Sequence, residues 1–103
     1  MRLTPRKVAR AMVRLGEDLR TWRRLQRLTV AQVADRADVS RDTVLRLEKG
    51  DSVNLENLLR IARALGVLDQ LAGAVDPYES DVGRLRADEA LPQRVRPPRS
   101  QRP

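Results

Sequence analysis

Helix starts and stops crowd residues 29–66, and nothing else in the sequence restricts the fold so tightly. Thr29 followed three residues later by Gln32 is a capping box, in which hydroxyl and amide satisfy backbone donors that a first helical turn leaves unpaired. The helix it opens runs to about Ala37, and Asp38-Val39 forms a tight turn. Ser40 then caps a second short helix that Gly50 closes, and Asn54 caps a third that Gly66 terminates. Val44 and Leu47 are the inward residues of the 40–49 helix. Leu55, Leu58, Leu59, Ala62 and Leu65 form the apolar stripe of the 54–65 helix, and a short helix over Val67–Ala72 follows. Helices this short are marginal alone in water, so these segments must pack against one another.

Upstream, Thr4-Pro5 has the form of an N-cap followed by proline at the first helical position. Val8, Met12, Leu15, Leu19 and Trp22 then recur at steps of four and three through about Arg27, placing Trp22 in the core. Gly16 costs this helix about 1 kcal/mol. It marks either a break between a basic arm, residues 1–14, and the first helix proper, or a point within one longer helix.

The chain has 103 residues, enough for one core, with two aromatic residues and no cysteine or histidine. Sparse aromatics disfavour sandwiches and barrels. The missing thiols and imidazoles remove disulfides, the usual zinc ligands and the commonest acid/base catalysts. Glu17, Asp18 and Asp35 are scattered over different faces, so no catalytic carboxylate pair is expected, and no enzyme, cofactor or metal. No stretch approaches the roughly 18 apolar residues of a membrane span, and a cytoplasmic protein is expected.

A net charge of +7 points to a polyanionic partner. Residues 1–28 hold nine bases against two acids, whereas residues 29–76 hold six against eight. Arg6, Arg10 and Arg14 recur every four residues, so they repel one another on one helical face unless an anion relieves them. The domain expected over 15–75 is followed by an extended, partly disordered C-terminal arm, 76–103. Four of the six prolines fall in its last twelve residues, so disorder is expected over roughly 92–103.

Two short helices joined by a tight turn, the second capped and polar on one face, make a helix-turn-helix. The exposed side of the second helix carries Arg41, Asp42, Leu45 and Arg46. Arginine donates two hydrogen bonds to guanine, aspartate accepts from cytosine, and leucine meets a thymine methyl. Thr43 is shared between capping and DNA contact. Near-absence of stacking aromatics disfavours RNA.

The run from Leu19 to Val67, LRTWRRLQRLTVAQVADRADVSRDTVLRLEKGDSVNLENLLRIARALGV, resembles the lambda-repressor/Cro-like (XRE) DNA-binding domains. The resemblance implies an all-α, five-helix domain that binds double-stranded DNA at a palindromic operator as a homodimer. Carried over by position, Arg41, Asp42 and Arg46 would contact bases, and Leu45 and Thr43, read from the exposed side of the helix, complete the expected DNA-reading set. Thr29, Lys49 and the loop Asp51–Asn54, with Ser52 and Asn54, would approach phosphate; beside the resemblance, Gln32, Ser40 and the basic residues Arg27, Arg10 and Arg14 are further expected phosphate contacts. Arg23 would pair with Glu48. The sequence departs from the family's pattern at Val30, where glutamine is usual, and at Asp38, where glycine is usual. Valine makes no hydrogen bond, so phosphate anchoring has to come from Thr29, Gln32, backbone N–H groups or elsewhere.

The order of segments after Ala62 resembles the extended C-termini of antitoxins that accompany HipA-type kinase toxins. It implies an autoregulating repressor that also holds a HipA-like toxin, with residues 76–99 bridging to toxin or operator. Leu68, Leu71 and Val75, apolar beyond the needs of one small core, are the expected dimer contacts. A stand-alone phage-type or restriction-controller repressor and a protein-interaction adaptor without DNA preference are the alternatives.

Overall fold

The computed structural model describes residues 3–90, all of whose regular structure is helical. The helices are α1 (Arg6–Leu25), α2 (Val30–Ala37), α3 (Arg41–Lys49), α4 (Leu55–Leu65), α5 (Leu68–Gly73) and α6 (Asp81–Ala90), with one 3-10 turn over Pro77–Glu79. The chain divides into two compact units, the first ending at Leu71 and the second starting at Ala72. No helix among the described residues is long and apolar enough to cross a membrane.

The expected caps set the boundaries of the central helices. Thr29 Oγ1 accepts from the Gln32 N–H at 3.1 Å, and Gln32 Oε1 accepts from the Thr29 N–H at 2.9 Å. Ser40 Oγ accepts from the Thr43 N–H at 3.0 Å, and Asn54 Oδ1 from the Asn57 N–H at 2.7 Å. At their far ends α2, α3 and α4 close on left-handed residues, Asp38 (φ 56°), Gly50 (φ 85°) and Gly66 (φ 80°). Aspartate tolerates this conformation better than most residues, which is why Asp38 replaces glycine without loss of the turn.

In the first unit Leu19, Leu28, Val33, Ala34, Ala37, Val44, Leu47, Ile61, Ala62, Leu65 and Val67 are buried together. Enclosing a side chain such as Ile61 is worth about 1.5–3 kcal/mol, and a helix pair too short to persist alone becomes stable by sharing that burial. Leu15, Val30, Val39, Val53, Leu58, Ala64, Leu68 and Leu71 pack around it, partly covered.

The structure corrects several expectations. Thr4 does not cap α1; Pro5 occupies the cap position, where no side chain bonds to the helix. Gly16 does not interrupt α1, which passes through it unbroken and ends at Leu25, two residues short of Arg27. Trp22 lies outside the core at 40% exposure: helical periodicity places it at the margin of the apolar face, and the bundle does not extend to cover it. Val8 and Leu55 are likewise exposed, because a stripe at the end of a helix overhangs its neighbours.

The second unit departs most from expectation. In place of an extended arm, Asp76 caps the 3-10 turn through its Oδ1, which accepts from the Tyr78 N–H at 3.0 Å, and α6 follows. Ser80 Oγ accepts from the Gly83 N–H at 3.0 Å, and Arg84 pairs with Asp81. Val82 and Leu85 stay exposed. The disorder expected over 92–103 lies outside the described residues.

Candidate nucleic-acid interface

The interface is built from α3 outward. Val44 and Leu47 anchor α3 in the core, three residues apart, so the opposite side of the helix faces solvent. Arg41, Asp42, Leu45 and Arg46 are all exposed there, Thr43 is half-buried, and Lys49 is exposed at the last turn. This side alternates cation, anion and apolar groups of the types that discriminate base edges in a major groove.

A bidentate ion pair sets the orientation of α3. Arg23 Nε donates to Glu48 Oε2 at 2.7 Å, Nη2 donates to Oε1 at 3.0 Å, and Nη1 donates to the Leu28 carbonyl at 2.9 Å. With side-chain exposures of 13% and 9%, the two groups are shielded enough for the planar fork to fix a direction as well as a distance. The bond to the Glu48 carboxylate, against the opposing pull of burial, holds Arg23 above the usual arginine range. The guanidinium therefore stays charged wherever the fold persists.

Sequence patterns did not reveal how closely α1 approaches α3. A methyl group at Gly16 would stand 2.9 Å from the Glu48 carbonyl oxygen and closer still to that of Leu47, whereas one at Gly50 would stand 2.8 Å from the Val13 Cα. Only glycine permits either approach, and at Gly50 the positive φ favours it independently. The available signal was Gly16 itself: a glycine inside a helical pattern marks a close approach as readily as a break.

Around α3, the expected phosphate-facing groups occupy three places. Thr29 and Gln32 are exposed at the start of α2, joined in their reciprocal cap, and Ser40 opens α3 with its hydroxyl 2.8 Å from that of Thr43. Gln32, Ser40 and Arg41 line one side of a cleft with Ala31, Ala34, Asp35 and Val39. Ser52 and Asn54 sit in the loop after α3, in a second cleft lined by Thr43, Arg46, Val53 and Asn57. Arg46 Nη2 donates to the Ser52 carbonyl at 2.6 Å, tying the exposed side of α3 to this loop, a contact that residue spacing does not disclose.

The other expected residues lie farther out. Arg27, exposed, follows α1 in the left-handed region (φ 56°), and Arg10 and Arg14 are exposed on α1. Of the expected dimer residues, Leu68 and Leu71 are half-buried against their own core, whereas Val75 is 86% exposed. Gln26 Nε2 donates to the Leu65 carbonyl at 2.7 Å, fastening the end of α1 to the end of α4.

Residues 19–68 match the model of the helix-turn-helix family. The matched stretch carries α2, α3 and α4 whole, with the end of α1, and is similar to the XRE-type helix-turn-helix domains of DNA-binding regulators. No curated protein and no solved structure matches the chain.

Proposed function

We propose that this protein is a sequence-specific transcriptional repressor that reads a palindromic operator as a homodimer, with α3 in the major groove. The observation that carries this is the division of α3: Val44 and Leu47 are buried while Arg41, Asp42, Leu45 and Arg46 are exposed beside them. Arg41 and Arg46 supply donors to guanine, Asp42 an acceptor for cytosine, and Leu45 an apolar contact. Thr43 stands at the edge of that surface. Thr29, Gln32, Ser40, Lys49, Ser52 and Asn54 hold the flanking phosphates, fixing register without carrying sequence information. Two recognition helices in a dimer stand about 34 Å apart, one turn of DNA.

Selection of bound duplexes from a random pool tests this directly. Enrichment of a two-fold symmetric site with half-sites about one turn apart is expected. A pool that stays random after repeated rounds would refute sequence-specific recognition, and a single unrepeated half-site would refute the dimer.

A finer assignment, antitoxin to a HipA-like kinase toxin, is supported by the order of segments after α4. The exposed Val82 and Leu85 of α6 add apolar surface suited to a protein partner. Co-expression of the full chain with such a kinase should yield a stable complex and restored growth. Independent elution of the two proteins would remove the antitoxin assignment and leave a stand-alone repressor.

A further inference from the structure

The matched domain begins at residue 19, yet α1 begins at Arg6, so most of this helix precedes the domain. The added length is not loosely attached. The backbone of Val13 lies against Gly50 and Gly16 lies against the Leu47 and Glu48 carbonyls, so the first half of α1 holds a set direction relative to α3. Val13 meets the bundle where α3 gives way to the loop bearing Ser52 and Asn54.

This half of α1 carries its charge against its own interest. Arg6, Arg10 and Arg14 are exposed at four-residue spacing and line one shallow groove with Ala9, Val13 and Glu17. Among the described residues the ion pairs are Arg23–Glu48, Arg60 with Glu56 and Asp38, and Arg84–Asp81, and none includes the three arginines. The first turn holds Arg6 and Lys7 with no acid, and no side chain caps it. Cations at a helix's positive end and like charges four apart both oppose the helix, so an external anion would relieve the two conflicts together.

We propose that Arg6, Arg10 and Arg14 form a second, sequence-independent contact on the sugar-phosphate backbone of the DNA that α3 reads. The inference rests on α3 being the recognition helix and adds a clamp outside the helix-turn-helix domain. Three arginines over two turns and a little more span about 12 Å, and the same length of duplex axis carries three to four phosphates on each strand. The clamp also supplies anchoring that Val30, with no hydrogen-bonding group, withholds at the start of α2.

The test is the salt dependence of binding by the full chain to a mixed-sequence 30-base-pair duplex and to a site selected from random DNA. In the variant Arg6→Gln, Arg10→Gln, Arg14→Gln, three lost phosphate contacts should flatten log K against log salt by about 2.7. Between 50 and 200 mM salt, wild type then loses about 40-fold more affinity than the variant. The ratio of selected to mixed-sequence affinity should stay unchanged, and the Arg→Lys triple variant should keep the wild-type slope. Glutamine preserves helix propensity, and the single variant Arg10→Gln, expected to flatten the slope by about 0.9, serves if the triple variant does not fold.

An unchanged slope in the glutamine variants, as an acidic protein partner would produce, overturns the clamp and leaves α3 recognition standing. Loss of slope in the lysine variant as well overturns it in favour of a structural role. Failure of wild type to bind either duplex at 50 mM salt overturns both the clamp and the recognition helix.

Discussion

At the scale of single residues, the two exposed arginines of α3 differ in their contacts. Arg41 is exposed at the start of α3, whereas Arg46 also donates to the Ser52 carbonyl. Arg41→Ala should cost about 1–3 kcal/mol and relax preference at one base pair. Arg46→Ala should relax a different base pair and, by releasing the loop that holds Ser52 and Asn54, weaken binding to every sequence. Affinities for a panel of single-substitution operators separate the two patterns. Arg27 presents another trade: an arginine with φ 56° occupies a conformation that glycine enters freely. Arg27→Gly should raise stability by about 1 kcal/mol in thermal unfolding and flatten the salt dependence of DNA binding by about one phosphate contact. A stabilised variant with an unaltered salt slope would remove Arg27 from the phosphate-contacting set.

At the scale of elements, the angle between α1 and α3 depends on a missing side chain. The Leu47 and Glu48 carbonyls, which a methyl at Gly16 would meet, belong to the helix backbone and cannot rotate aside. Alanine favours the isolated helix by about 1 kcal/mol over glycine, yet overpacking of a fitted contact typically costs 1–3 kcal/mol. The steric term wins here because the clash is with backbone. Gly16→Ala should therefore lower stability by about 1–2 kcal/mol in denaturant titration, and it should also displace Glu48 from Arg23. A gain in stability would mean that α1 and α3 separate without resistance. The Arg23–Glu48 pair gives α3 its direction more than it stabilises the fold, since desolvation of both ions offsets most of their attraction.

At the scale of the whole molecule, the proposed dimer is to be sought where the monomer leaves apolar surface unused. Leu68 and Leu71 already pack on their own core, so substituting them perturbs fold and association together. Val75 gives the cleaner test, being exposed and outside the cluster. Val75→Asp should shift the sedimentation profile toward monomer while leaving the melting temperature within about 1 °C, because surface substitutions seldom change stability by more than about 0.5 kcal/mol. An unshifted profile would exclude Val75 from the dimer contact. The net charge of +7 further predicts fast, salt-sensitive encounter with DNA.

The order, caps and closing residues of α2, α3 and α4, and the exposed face of α3, were determined by sequence alone. Hydrogen bonds such as Thr29 to Gln32 join residues three apart, so a local pattern states them completely. The pairing of Arg23 with Glu48 was reachable only by resemblance, because it spans 25 positions that no local rule connects. Tertiary structure alone decided that Gly16 is a contact point, that Trp22 lies outside the core, that Arg46 reaches Ser52, and that residues 81–90 form a helix. A helical pattern fixes the direction in which a side chain points around its own axis. What stands in that direction, at what distance, depends on the placement of other helices, and that is set by the packing of the entire core.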